Sequence, residues 1–589
     1  MTYKMKKTLL FSVALAGLML GSCSSSDDLN GGGTGIFGAD GQGFVNVTLN
    51  LPTQPQSTSR AANDVFDHGD AAEYNVKDAT LILFAGKDEA TAKIKAAYNL
   101  SGWKKDLMPS DQISTTLSKV QKINVISASP TDKIYAFVVL NHNDALKVTS
   151  TNTLQVDGVD FDGTFSELST KDMKASLVKD NLMMSNAVII SKPGSADFSK
   201  ETATTLTDVT DKIYATESEA TSHPAADIYV ERLAAKVTLN KATGTSTNTV
   251  SVGSGTAAKK FSYSLEGWRL ANVNTSSYLT RQYDNTWNSY KSDATDFTAA
   301  THVDYDNNAF RFAGINAIAT DKGYRTYWGK DANYDVEPSF TDGNDEPTLV
   351  GGADTYCYEN TFNVAHQNVK ETTCAIVKMK ITPDGYAAGT FFTIDDNKGV
   401  VYSKADVKTE IGKRFLTEMG TAYVKTNYYP TVTAKITVKD VEFDDAVAGK
   451  VTITKMTLTD GATDKDVTAA DLTKFEPSIK VNEFKDGYAY YTILIKHFGD
   501  ELTPWNPSTK TTVSYPDPNS EQNWLGRYGV LRNNWYQLEV TGVAAIGAST
   551  PGELDVNHDT TPDDNLKRYI SCKINALSWA VRKQGTVLQ

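Results

Sequence analysis

The sequence predicts a mainly β protein built from β-sandwiches, and three observations predict it. Its runs of Val, Ile, Thr and Tyr are short, and many alternate apolar with polar residues, as a strand with one buried face requires. Clusters of Gly, Asn, Asp, Ser and Thr separate those runs. Between them no strand–helix unit repeats, which argues against a parallel α/β sheet and for sandwiches of many short strands. At 589 residues the chain holds material for two to four cores, on a prior of roughly 150 residues each.

Residues 1–23 read as a secretory signal. Lys4, Lys6 and Lys7 precede an apolar run from Leu9 to Leu20 that is too short to span a membrane. Leu20-Gly21-Ser22-Cys23 then forms a lipobox, which makes Cys23 the lipidation site. Residues 24–43, rich in Gly, Ser and Asp, form a leash that includes the lone Gly41/Gly43 pair. In "GFVNVTLNLP" (43–52), Val45, Val47, Leu49 and Leu51 share one face, and Phe44, Asn46, Thr48 and Asn50 the other. That pattern is a half-buried strand. The polar stretch "TQPQSTSRAAND" follows and offers Arg60 to a protease. Lipid, strand and cleavable arginine in that order imply that residues 24–60 are a propeptide, removed as one piece.

Further strands are expected at 78–86, 132–143, 226–240, 259–273, 372–385, 428–443, 487–499, 532–547 and 567–581. Two helices are expected. Residues 166–179 offer Ser169 and Asp172 as a capping box ahead of Met173 and Leu177. Residues 403–420 offer Ser403 and Asp406 at the start, then Val407, Ile411, Phe415 and Met419 at four-residue spacing, with Gly420 as a stop. Both are read as helices flanking or plugging a sandwich.

The net charge of −13, with no basic block, leaves no footprint for nucleic acid or anionic lipid. Besides Cys23 there are Cys357, Cys374 and Cys572, so at most one disulfide forms. Cys357 and Cys374 either bridge or remain buried thiols, and neither spacing resembles a zinc site. Asp555, Asn557, Asp559 and Asp563 echo the start of a calcium loop, but Thr560 and Leu566 stand where it needs Gly and a carboxylate, so an acidic turn is the favoured reading. No metal or cofactor is expected. The seven histidines include no H-E-x-x-H, and no G-x-S-x-G or Walker A loop occurs. Acidic pairs such as Asp304/Asp306 carry no glycosidase signal in a chain with 71 acidic residues. Tyr428/Tyr429 and Tyr488/Tyr490/Tyr491 are read as core packing rather than sugar-stacking platforms. Arg532-Asn533-Asn534 is read as a structural turn.

These residues resemble the fimbrillins of Bacteroidales, and among them the major subunit of the short (minor) fimbriae. The resemblance rests on the lipobox, on the strand followed by Arg60, and on "IYAFVVLN" (134–141), "LMMSN" (182–186) and "VERLAAKV" (230–237). Further along it rests on "YCYENTF" (356–362), "GVLRNNWYQLEV" (529–540) and "SWAV" (578–581). It implies two transthyretin-like β-sandwich domains, placed at 61–245 and 246–589, and a non-enzymatic subunit. It also implies that a trypsin-like, Arg-specific surface protease cuts after Arg60, and that the vacated groove takes the C-terminal strand (567–589) of another copy. In that donor Ile570, Cys572 and Ile574 form one face while Leu577, Trp579 and Val581 continue on the other parity, so a bulge or two inserted segments are expected.

The removable strand is expected at a sheet edge, where its loss exposes unpaired backbone groups beside an apolar groove. Head-to-tail addition then gives an open filament. The expected function is a cell-surface fimbrial subunit that mediates adhesion, with partners in copies of itself, anchor and tip subunits, and the membrane through lipid before cleavage. "CSSSDD" (23–28) resembles a surface-export signal, which places the lipoprotein at the outer membrane. The alternatives are a tip or anchor accessory subunit, or a monomeric glycan-binding surface lipoprotein.

Overall fold

A computed structural model describes residues 37–51, 70–106, 116–190, 203–282, 324–325, 329–334, 346–497, 528–560 and 570–578, apart from a few short stretches within them. Cys23, Arg60, Asp304, Asp306, Asp563, Trp579 and Val581 lie outside the described residues.

The first half of the chain is built around one large sheet. Its main strands are β1 (Gln42–Asn50), β2 (Ala79–Gly86), β3 (Lys93–Asn99), β4 (Lys104–Asp106), β5 (Thr116–Asn124), β6 (Lys133–Leu140), β7 (Met184–Asn186), β8 (Ile213–Tyr214) and β9 (Ala226–Arg232), with Thr207–Asp208 added on β6. They run in the order β3-β2-β6-β7-β9-β1-β5-β4, with β8 also on β1. At β2 and β6 both faces are covered. In β2, Leu81 and Leu83 enter one core while Ile82 and Phe84 enter the other, which accounts for the unbroken apolar run "LILF".

Helix α1 (Phe165–Ser169) closes the second core through Phe165 and Leu168. It is shorter than expected, and its cap differs. Thr164 and Glu167 form the capping box, with the Thr164 amide donating to Glu167 Oε2 at 2.7 Å and the Glu167 amide to Thr164 Oγ1 at 3.3 Å. Beyond Thr170 the chain extends, and Asp172–Met173 pair with Ser277–Tyr278. The expected Ser169/Asp172 box therefore fails because tertiary strand pairing claims Asp172. A second short helix, α2 (Glu217–Ser222), lies between β8 and β9.

One expected strand, 226–240, is in fact two. At buried Leu233 the chain leaves the first sheet, and β10 (Ala234–Leu239) begins the second. There follow β11 (Thr243–Thr245), β12 (Phe261–Ala271), β13 (Asp354–Tyr358) and β14 (Cys374–Pro383). An insertion comes next, with β15 (Phe391–Ile394), α3 (Lys404–Met419), α4 (Thr421–Tyr428), β16 (Thr437–Phe443), β17 (Ile453–Thr459), β18 (Asp464–Asp466), α5 (Ala469–Phe475) and β19 (Val481–Phe484). The chain ends with β20 (Tyr488–Leu494), β21 (Asn534–Val543) and β22 (Ile570–Ser578). Sheets β13-β10-β21-β22 and β11-β12-β14-β20 face each other across a core of Val237, Leu239, Trp268, Val377, Tyr491 and Leu538. The protein is thus a mainly β, sandwich-type fold with a few short helices.

Helix α3 matches its expectation. Ser403 Oγ accepts from the Asp406 amide at 3.1 Å, the four spaced apolar residues are buried, and Gly420 at φ +79° ends it. The strand expected from 428 starts at Thr437 instead, because α4 carries the helical run through Tyr428. Tyr428 and Tyr429 are core residues there. Their hydroxyls donate to Asp471 Oδ2 (2.5 Å) and to the Leu458 carbonyl (2.9 Å). Tyr490 and Tyr491 are likewise buried in β20.

Cys357 and Cys374 are unbridged thiols. They sit in different clusters, Cys357 on β13 against the sandwich core and Cys374 at the start of β14 beside Val369 and Leu494. Burial pushes each thiol up to about 12. The acidic stretch at 555–559 is a turn: Asp555 adopts φ +49°, and its carbonyl accepts from the His558 and Asp559 amides at 3.1 Å each.

Candidate functional site

The alternation read in residues 44–51 corresponds to β1 and the residue that follows it, and Val45, Val47, Leu49 and Leu51 are each at most 1% exposed. They contribute to one core with Leu81, Leu83, Leu117, Val138, Met184 and Ile228. The expectation of an edge position is wrong. β1 is an interior strand, antiparallel to β5 along its whole length and, on its other side, parallel to β9 from Val47 to Asn50. Phe44 and Val45 complete that side against β8. Alternation reports which face is buried but not how many neighbours a strand has, so the sequence pattern could not distinguish the two positions.

β1 therefore occupies a slot rather than a margin. Its walls are β8 and β9 on one side and β5 on the other, and its floor is the apolar core. Without β1 the slot would present two rows of unpaired backbone groups over an apolar trough, a demanding template for an incoming strand.

The segment just beyond the expected cut is fixed separately. Buried Glu73, in a short 3-10 turn at Ala71–Tyr74, accepts from Lys236 Nζ at 2.7 Å and from the Tyr356 hydroxyl at 2.6 Å. Its other oxygen accepts from the Asp70 amide at 2.9 Å, and its carbonyl from Arg232 Nε at 2.8 Å. Lys179 joins Asp70 to Asp354, at 2.8 Å from the latter. Hydrogen bonds to Asp354 and Asp70 raise the Lys179 ammonium above its ordinary range. Burial first, and then Glu73, raises the Tyr356 phenol. The Asp70, Glu73 and Asp354 carboxylates lie within 4.8 Å of one another, and the two lysines supply the cations that such a cluster needs. These residues carried no signal in the sequence, since Glu73 and its partners come from four separate segments.

Motifs that carried the resemblance meet next to this clasp. Arg532 is fully buried, with Nε 3.2 Å from Glu359 Oε1 and Nη2 donating to Ser277 Oγ at 2.9 Å. Arg281 Nη2 lies 3.1 Å from Glu231 Oε2. Asn533, at φ +58°, donates its amide to the Ala234 carbonyl at 2.7 Å, and its Oδ1 accepts from Arg232 Nη1 at 3.2 Å. "VERLAAKV", "YCYENTF" and "LRNNW" thus tie the first sheet to the second. The structural reading of Arg532-Asn533-Asn534 holds, and Arg532 is a buried ion-pair partner as well as part of a turn.

β22 lies on its own chain's sheet, antiparallel to β21 and at the edge. The register pairs Ile570 with Val543, Cys572 with Val540, Ile574 with Leu538, and Leu577 with Trp535. Against its own chain's β21 the pairing runs unbroken from Ile574 to Leu577. The register shift falls on β21, between Val540 and Gly542. The lead into β22 is held down as far as Asp559, whose carbonyl accepts from the Lys370 amide at 2.9 Å, while Val556 is buried beside Val369.

Residues 482–585 match the family model described as major fimbrial subunit protein type IV, fimbrillin, C-terminal. No curated protein sequence matches the chain. Among solved structures it is similar to a fimbrilin of Porphyromonas gingivalis, at 12% identity over 92% of this chain and 99% of that one, with a TM-score of 0.33. It is also similar to a candidate cell adhesion protein of Parabacteroides distasonis, at 12% identity over 92% and 98%, with a TM-score of 0.34. A fimbrial assembly protein from the same organism is similar at 11% identity over 58% and 85%, with a TM-score of 0.25. The family match takes in β20, β21 and β22, so it is the C-terminal end of the chain that carries the fimbrillin signature.

Proposed function

We propose that this chain is a polymerising shaft subunit of the short-fimbria type, exported as a lipoprotein on Cys23 and activated by proteolysis at Arg60. The observation that supports this most is β1, an interior strand whose removal would open a slot walled on both sides. Cleavage severs its covalent tie to the body, and the clasp at Asp70 and Glu73 keeps the remaining chain start in place while β1 leaves. The strand that refills the slot comes from residues 567–589 of a second copy, and repetition builds the filament. The first sheet acts as the acceptor and the sandwich that begins after Leu233 as the donor. Anchor and tip subunits, an Arg-specific surface protease and the outer membrane are the other partners. Adhesion is the work of the finished fimbria.

Reach limits how the subunits dock. Residues 560–569 separate the anchored Asp559 from β22 and can extend to about 35 Å at most. The acceptor slot of the neighbour must come within that distance.

The test uses residues 24–589 treated with an Arg-specific protease and run unboiled on a denaturing gel, with Arg60→Ala as control. SDS-resistant oligomers that form only after cleavage at Arg60 are the expected result. A single monomer band after a confirmed cut would overturn the shaft-subunit reading in favour of a tip subunit or a monomeric glycan-binding lipoprotein.

A further inference from the structure

The slot has a rival occupant within its own sheet. Among the described residues β5 pairs with β1 and β4 and with no other strand. When β1 leaves, β5 loses its connection to the sheet. Because β1 is parallel to β9 and antiparallel to β5, β5 runs antiparallel to β9, the polarity of the more stable ladder. Moving β5 by one strand spacing, about 4.8 Å, would close the slot from within. That closure is intramolecular and would outpace any strand arriving from another molecule.

Side-chain chemistry opposes the closure. Cross-strand partners share a face, so the core-facing residues of β5 are those registered with β1's buried row and with Gly43. They are Leu117 opposite Leu49, Lys119 opposite Val47, Gln121 opposite Val45, and Ile123 opposite Gly43. Leu117 and Ile123 are buried, whereas Lys119 and Gln121 are only half-buried at the sheet's margin. There a lysine can lay its stem on the core and keep its ammonium in water. One strand further in, Lys119 and Gln121 would take the places of Val47 and Val45, both 0% exposed. An ammonium and an amide would then be buried without partners. Slipping the register by one residue does not help, since it turns Ser118 and Lys122 inward and Leu117 and Ile123 outward.

We propose that Lys119 and Gln121 are specificity determinants that keep the vacated slot from sealing on itself, so that only a strand with an unbroken apolar row can fill it. This rests on the reading that β1 is released and replaced. Residues 24–589 of wild type and of the Lys119→Val/Gln121→Val variant would be compared, each first shown to unfold cooperatively in urea before cleavage. After cleavage at Arg60 in dilute solution, hydrogen exchange at 116–124 and 226–229 would be read in the monomer, and oligomer growth would be followed on unboiled gels.

The expected result is fast exchange at both segments in the cleaved wild type and protection in the variant, whose oligomers grow about tenfold more slowly or worse. Equal exchange and equal growth in the two proteins would overturn the proposal, as would protection in the cleaved wild-type monomer. Wild type that exchanges fast yet never oligomerises would leave the open slot standing and count against strand exchange instead. Lys119→Met, which keeps the stem and removes the charge, repeats the comparison if the double variant does not fold.

Discussion

β1 and β22 are both nine-residue strands with spaced apolar residues, yet the fold holds them in opposite ways. β1 is interior, with neighbours on both sides and four aliphatic side chains in the core. β22 is at an edge, paired on one side to β21. Burying four such side chains stabilises by roughly 6–12 kcal/mol gross, at ~1.5–3 each. That is comparable with the ~5–15 kcal/mol net stability of a whole domain. A strand held so firmly does not leave spontaneously, so the proposed release would need a broken peptide bond. An edge strand can peel away and be replaced. On the proposed reading the element that is removed is thus the costly one to lose, and its loss would leave a deficit large enough to drive assembly.

The comparison is tested most severely by making residues 61–589 directly, without the propeptide, and keeping them dilute. Urea unfolding should show the first sheet weakened by ~5 kcal/mol or more relative to the intact protein. Unchanged stability would mean that β1 contributes little and that the contrast with β22 is empty.

Next in size is Glu73→Gln. It leaves the Lys236 ammonium, 3% exposed, with Asp354 at 3.3 Å as its remaining carboxylate, so the cost falls toward the lower end of the ~3–5 kcal/mol for breaking a buried pair. Exchange at 71–78 should rise in cleaved and uncleaved protein alike. If it rises in neither, the chain start is held by something other than the clasp.

Leu49→Ala separates the two states of the slot. In the intact monomer it should cost ~2–5 kcal/mol, as a buried leucine truncation does. In the assembled polymer, where residue 49 has been cut away, it should cost nothing. A destabilised polymer would show that β1 stays in place after cleavage.

What the sequence made legible follows from what each pattern encodes. The period of two in Val45, Val47, Leu49 and Leu51 located β1 and its buried face, and the four-residue spacing from Val407 to Met419 located α3. Neighbour count was illegible, because an interior strand with one buried face and an edge strand alternate alike. Leu233 was illegible as a crossing point because "ADIYVERLAAKVTLN" stays β-prone throughout, and only the tertiary fold divides it between two sheets. The clasp was hidden for a different reason. Glu73, Lys179, Lys236 and Tyr356 are ordinary residues, far apart in the chain, whose meaning arises when four segments meet.

The smallest expected effect concerns the buried thiols, and it tests whether losing β1 loosens the second sheet as well as the first. At pH 8, thiols pushed up to about 12 are ionised to only about one part in ten thousand. Cys357 and Cys374 should resist iodoacetamide in intact and cleaved protein and react only after denaturation. In the unfolded chain each thiol titrates near its ordinary value of 9.0. Between that value and about 12 the unfolded state holds fewer protons than the folded one, so the thiols' contribution to stability is complete below 9 and declines as pH rises through this window. Alkylation that appears on cleavage alone would show the damage crossing the polar junction at Arg532 and Glu359. Continued resistance would confine the cost of losing β1 to the first sheet, leaving the second sheet intact to donate its edge strand.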